Sequence, residues 1–267
     1  MTDAYRWSFH SSPEGQKKSV LFLHGFMGCK EDWKDVGDSL GDTFRVLTVD
    51  LPGHGSTQSV EPDVSFGMEN TARELIELLD SLNMYRCHVV GYSMGGRLAL
   101  YLGIRYPNRV DRLVLESASP GLAEPAARDE RRQQDRELEH KLETVSFSRF
   151  LEDWYAQPLF SMLKRHPQFP DLLQRRMRNR PTELAKSLRQ MGTGAQPSLW
   201  ESLKSLRQPT LFVAGNKDIK FREIAVEMAD RCPTGRAVII ENSGHAVHFE
   251  QPKLYIDVIQ AFFNESR

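Results

Sequence analysis

Short apolar runs alternate along this chain with longer segments whose apolar residues recur at helical spacing. The runs at 20–23, 45–49, 88–90, 112–115, 210–213 and 237–240 predict buried strands. Segments 70–82, 96–106 and 254–263 predict helices, the second stopped by Pro107. Strand and helix in alternation predict an α/β fold, with a mostly parallel central sheet flanked by helices.

From 121 to 200 the pattern changes. The stretch is rich in Arg, Glu, Gln and Leu and holds no strand-like run. It predicts a helical insertion, so the core comprises residues 1–120 and 201–267 and the insertion residues 121–200. It reads either as a solvated helical decoration or as a cap, because insertions at the carboxyl edge of such a sheet lie over the ligand crevice.

At 267 residues the chain is long enough for one large domain with a sizeable core. With 35 basic and 36 acidic residues, no net field points to nucleic acid or to a membrane surface as partner. Three widely spaced cysteines, Cys29, Cys87 and Cys232, do not suggest a disulfide framework. Residues 1–10 lack the pattern of a secretory signal, and no apolar stretch approaches the ~20 residues that span a bilayer. A cytoplasmic location is expected.

Candidate chemistry begins at Gly91-Tyr92-Ser93-Met94-Gly95-Gly96, a G-x-S-x-G placed between a strand and a helix. Glycines let the backbone turn sharply there, so the Ser93 hydroxyl projects from the tip. His24-Gly25-Phe26-Met27-Gly28 follows the first core strand. Its backbone, with that of the residue after the serine, makes Phe26 and Met94 the candidate oxyanion-hole donors. His245 in the loop after the last strand is the candidate base, with His248 as a rival. Asp218, after the penultimate strand, gives the chain order Ser, Asp, His. Glu116 is the rival acid, while Asp50 reads as a brace for the loop Pro52-Gly53-His54-Gly55. His24, His54, His88, His140 and His166 read as surface or structural residues. His248 is expected to begin the final helix or to bond locally. Arg97 lies one helical turn after Ser93, within reach of a substrate carboxylate. No sequence pattern calls for a metal or an organic cofactor.

The loops at His24-Gly25-Phe26 and Asp50-Leu51-Pro52-Gly53-His54-Gly55, the serine turn and Gly244-His245 resemble the α/β-hydrolase superfamily over nearly the whole chain. Narrower features are Arg97 after the turn, Glu116-Ser117-Ala118-Ser119-Pro120-Gly121-Leu122, Asp153-Trp154-Tyr155, Gln157-Pro158-Leu159-Phe160, Gly192-Thr193-Gly194-Ala195-Gln196-Pro197 and Asp218-Ile219-Lys220-Phe221. With them the chain resembles the 2-succinyl-6-hydroxy-2,4-cyclohexadiene-1-carboxylate synthase family of menaquinone and phylloquinone biosynthesis. That resemblance implies a lyase that eliminates pyruvate from a small tricarboxylate, with no cofactor. It implies carboxylate-binding arginines at Arg97, Arg131 and Arg176, the last two set among Arg128, Arg132, Arg175 and Arg178. It also implies pocket walls at Tyr92 and Trp154. The alternatives are a serine hydrolase of a small anionic substrate, with the same triad, and a binding protein without turnover.

Overall fold

The computed structural model describes residues 4–13, 17–61 and 63–265. Residues 1–3, on which part of the signal-sequence expectation rests, lie outside them.

In chain order the elements are β1 (Tyr5–Arg6), β2 (Phe9–Ser11), β3 (Ser19–Leu23), α1 (Lys34–Leu40), β4 (Arg45–Val49), β5 (Gln58–Ser59) and α2 (Met68–Ser81). Then come β6 (Cys87–Tyr92), α3 (Met94–Arg105) and β7 (Val110–Glu116). The insertion follows as α4 (Pro125–Thr144), α5 (Phe147–Tyr155), α6 (Phe169–Arg176) and α7 (Pro181–Met191). The chain closes with β8 (Thr210–Gly215), α8 (Ile219–Arg231), β9 (Gly235–Ile240), α9 (Val247–Glu250) and α10 (Pro252–Asn264).

Seven strands pair in the order β2-β4-β3-β6-β7-β8-β9. All neighbours run parallel except β2, which pairs antiparallel with β4 at the edge. β3 and β4 are buried along their full lengths, as expected for strands covered on both faces. One face packs Leu21, Leu47 and Leu113 against Leu75, Leu98 and Met228 of α2, α3 and α8. The other packs Val20, Val90 and Leu211 against Leu40 of α1 and Ile259 and Phe262 of α10. Helices α4 to α7 have their own core around Phe150, Leu151, Leu172 and Leu184, joined by Met27 and Ala246 from the sheet loops.

Several expected bounds shift. The strand expected at 88–90 runs over Cys87–Tyr92, and the helix expected from 96 starts at Met94. The cause is a single-residue reversal at Ser93, with φ 49° and ψ −108°. Strand and helix therefore meet with no loop between them. Close approach at this reversal requires glycine: a Cβ on Gly91 would lie 2.3 Å from the Gly95 carbonyl oxygen, and one on Gly95 would lie 2.3 Å from that of Leu23. Gly95→Ala is thus expected to destabilise the fold by at least about 2 kcal/mol in urea titration. Gly41→Ala, at φ −59° with no neighbour of a Cβ nearer than 3.5 Å, serves as the near-neutral control. Equal midpoints for the two variants would refute the steric account of the turn.

Candidate active site

Each candidate side chain sits where a strand ends. Ser93 caps α3 directly after β6. Asp218 caps α8 after β8, its carboxylate accepting from the Phe221 amide at 3.3 Å. His245 lies in the loop after β9. Parallel neighbours bring these carboxyl ends together. His245 Nδ1 stands 2.6 Å from Asp218 Oδ2, and its Nε2 stands 3.3 Å from Ser93 Oγ. Since Asp218 accepts at Nδ1, Nε2 is left to take the serine proton.

Glu250 braces this relay, although nothing in the sequence reading singled it out. Its carboxylate accepts from the amides of Gly244 and Ala246, on either side of His245, and from Ser243 Oγ at 3.3 Å. Burial raises its carboxyl above the usual range, and these donors oppose the shift.

The oxyanion candidates are backbone groups. Met94 is the first residue of α3, so its amide has no acceptor inside the helix. The Phe26 loop is set by His24, whose Nε2 accepts from the Leu51 amide at 2.9 Å. That fixes the tautomer, so Nδ1–H donates to the Gly25 carbonyl at 2.7 Å. Burial keeps His24 and His54 less basic than ordinary histidines, His54 down to about 3. Asp50 braces the adjoining loop by accepting from the Lys30 and Ser56 amides at 2.7 and 2.9 Å.

The rival pair turns out to be a pair in its own right. His248 Nδ1 lies 2.8 and 3.0 Å from the two Glu116 oxygens, and its amide donates to Oε1 at 3.1 Å. His248 therefore lies in α9, ahead of the last helix, and bonds across 132 residues rather than locally. Tyr92 separates the two imidazoles, its ring centroid 5.4 Å from that of His245 and 4.8 Å from that of His248.

A cavity of about 250 Å³ opens over Ser93 and His245. Its walls include Phe26, Tyr92, Arg97, Arg131, Trp154 and Arg176. Arg128, Arg132, Arg175 and Arg178 are outside the lining. Phe26 and Trp154 meet edge to face at 5.4 Å, joining the first sheet loop to the insertion.

The three cavity arginines are held differently. Arg176 has every nitrogen engaged: Nη1 and Nη2 on Asp32 at 2.9 and 2.7 Å, and Nε on the Tyr155 hydroxyl at 3.1 Å. Burial alone would raise the Asp32 carboxyl, but Arg176 and Arg175 hold it well below the usual range. Arg131 Nε donates to Asp135 at 2.7 Å. Arg97 Nη1 donates to the neutral Gln196 amide oxygen at 2.8 Å. Burial, with the nearby Arg131 charge, pushes Arg97 down to about 10. Among the described residues no group of three His, Cys, Asp or Glu side chains could hold a metal ion. None of their helices is long and apolar enough to cross a membrane.

Residues 18–252 match the family model of the α/β hydrolase fold. The 2-succinyl-6-hydroxy-2,4-cyclohexadiene-1-carboxylate synthase of Escherichia coli O1:K1 is 34% identical over 233 residues, 87% of this chain and 88% of its own. The enzyme of the same name from Salmonella typhimurium is 35% identical over 239 residues, 90% of this chain and 91% of its own. The chain belongs to the 2-succinyl-6-hydroxy-2,4-cyclohexadiene-1-carboxylate synthase family. It is an enzyme of that family with the α/β hydrolase fold. The solved structure of MenH from S. aureus superposes with a TM-score of 0.90 at 34% identity, covering 96% of this chain and 97% of that one. The likeness to this structure spans the helical insertion as well as the sheet.

His245→Ala is expected to remove nearly all turnover, because among the described residues no other imidazole is hydrogen-bonded to Ser93. A fully active His245→Ala beside a dead His248→Ala would reverse the assignment. Asp32→Asn leaves Arg176 buried without its anion, a loss of about 3–5 kcal/mol in denaturant titration. Because the Asp32 carboxyl is depressed in the fold, its contribution is present above about pH 4 and is lost as pH falls. The deficit of Asp32→Asn should therefore shrink on acidification. A deficit constant from pH 7 to pH 3 would show that packing, rather than charge, was lost.

Proposed function

We propose that this chain eliminates pyruvate from 2-succinyl-5-enolpyruvyl-6-hydroxy-3-cyclohexene-1-carboxylate, giving 2-succinyl-6-hydroxy-2,4-cyclohexadiene-1-carboxylate on the way to menaquinone or phylloquinone. The observation that carries this reading is the grouping of Arg97, Arg131 and Arg176 around one cavity that is also lined by Ser93 and by His245, which Asp218 holds from behind. A substrate with three carboxylates suits a cavity walled by cations, of which Arg97 has no ion pair among the described residues, Arg131 is bonded to Asp135 through Nε, and Arg176 is fully engaged by Asp32 and Tyr155.

In this reading Asp218 orients His245, and His245 draws the proton from Ser93. Ser93 removes the ring proton, and negative charge develops on the succinyl carbonyl oxygen. The Phe26 and Met94 amides receive that charge. The ring carbon–oxygen bond then breaks, the enolpyruvyl oxygen keeping the electron pair, and protonation of the departing enolate gives pyruvate. Tyr92 and Trp154 wall the ring. No step needs an acyl-enzyme. The same relay serves serine hydrolases, so the substrate's charge distinguishes the two activities.

Pyruvate should accumulate in a direct assay with the tricarboxylate, and mass spectra of rapidly quenched samples should show unmodified Ser93. An adduct that forms and decays at the turnover rate would overturn the general-base scheme. Arg97→Ala removes a hydrogen bond to a charged group, a contribution of about 1.5–3 kcal/mol. This corresponds to a loss of roughly 10-fold to 160-fold in kcat/KM. The neutral ester p-nitrophenyl acetate offers Arg97 no charge. Its turnover should fall at least tenfold less, and equal losses would assign Arg97 to support of the serine turn.

A further inference from the structure

Gln196 lies outside the cavity, in the segment that follows α7, and is 2% exposed. Its amide oxygen takes the Nη1 donor of Arg97 across 99 residues. The guanidinium has only donors, so the amide cannot be reversed without setting N–H against N–H. Its other end gains nothing from this arrangement: Gln196 Nε2 is buried with no hydrogen-bond partner among the described residues. A glutamate would fit the same space, give Arg97 a charged acceptor and leave no orphan donor. The other two cavity arginines do have carboxylates, Asp32 for Arg176 and Asp135 for Arg131. Among the described residues Arg97 has no ion pair, although it is only 8% exposed.

We propose that Gln196 is a positioning residue that aims the Arg97 guanidinium into the cavity while leaving its charge unanswered, so that Arg97 is the site for a substrate carboxylate. The inference rests on reading Arg97 as a carboxylate-binding group. A neutral acceptor orients through one hydrogen bond without cancelling the field. An acidic one would orient equally well and compete with the substrate. The cation thus stays available because the partner is an amide. Arg131, nearby, deepens the positive potential, and Asp135 offsets part of it.

The test compares Gln196→Glu, Gln196→Met and Arg97→Ala, each measured for KM and kcat on the tricarboxylate, turnover of p-nitrophenyl acetate, and Tm. Gln196→Glu should raise KM at least tenfold with a smaller change in kcat, a smaller loss on the neutral ester, and a Tm no lower than wild type. Activity and stability then move apart, which a purely structural residue would not produce. Gln196→Met removes the acceptor but adds no charge, so its KM should rise only a few-fold. An unchanged KM in Gln196→Glu beside a raised KM in Arg97→Ala overturns this proposal and spares the reading of Arg97. Equal KM losses in the Glu and Met variants overturn the charge argument, as does a Gln196→Glu protein that loses Tm and both activities together. An Arg97→Ala protein with wild-type KM overturns both readings.

Discussion

Ser93 occupies a backbone conformation with φ 49° and ψ −108°, far from the regions a side-chain-bearing residue prefers. Such a conformation costs on the order of 1–3 kcal/mol and persists only when its surroundings determine it. Here the Ser93 amide donates to the Glu116 carbonyl at 2.8 Å, tying the turn to the next strand. Gly95 packs against the backbone of β3, and Gly91 packs against Gly95. The hydroxyl consequently stands at the carboxyl edge of the sheet, and the first amide of α3 stands beside it. If that reversal relaxed, neither His245 nor the Phe26 loop would have a target. Stability given up at one residue is therefore what assembles the site.

The same edge shows how buried charge is managed. Glu116, Asp218 and Glu250 are buried, as is the side chain of Asp32, and each accepts hydrogen bonds from groups around the site. A buried carboxylate is expensive unless its oxygens are satisfied. Once satisfied, it becomes a rigid anchor, because moving any donor would expose the full desolvation cost. Asp32 grips two arginines and the Cys29 amide, so it joins the turn after β3 to α6 of the insertion. The insertion is thus held over the sheet by ionic contacts as well as by its apolar core.

Legibility in the sequence followed the range of the interaction. Strand β3 announces itself through the apolar run Val20–Leu23, and β4 through Val46, Leu47 and Val49, because both faces of each are covered. The serine turn and the loops carrying Asp218 and His245 are local patterns of a few residues, so their places could be read directly. β2, with the sequence Phe9-His10-Ser11, escaped notice because an edge strand needs no apolar pattern, only a neighbour to pair with. Partnerships were opaque in the same way. Asp32 meets Arg176 across 144 residues, and Glu116 meets His248 across 132. Nothing local distinguishes Arg176 from Arg175, or Gln196 from any other amide. Glu250 was hidden because its role is to accept backbone amides, which every residue possesses.

His245 and His248 show how little separates the imidazole proposed as reactive from one read as structural. Both are buried, both have a carboxylate at Nδ1, and Tyr92 touches both rings. The relay differs only in what lies beyond the other nitrogen, and for His245 that is Ser93 Oγ. A relay alone, however, does not choose between splitting an ester and eliminating a carboxylated leaving group. That choice lies in the field above it. A cation as deeply buried as Arg97, hydrogen-bonded to an amide rather than ion-paired with a carboxylate, is a higher-energy arrangement than one already neutralised. In the proposed reading that cost is relieved when a substrate carboxylate meets Arg97, so it would count towards binding charged ligands and not neutral ones. Discrimination of this kind needs no contact with the reacting atoms. It sits one turn of helix from the serine, at a residue whose position, though not its partner, could be read from the sequence.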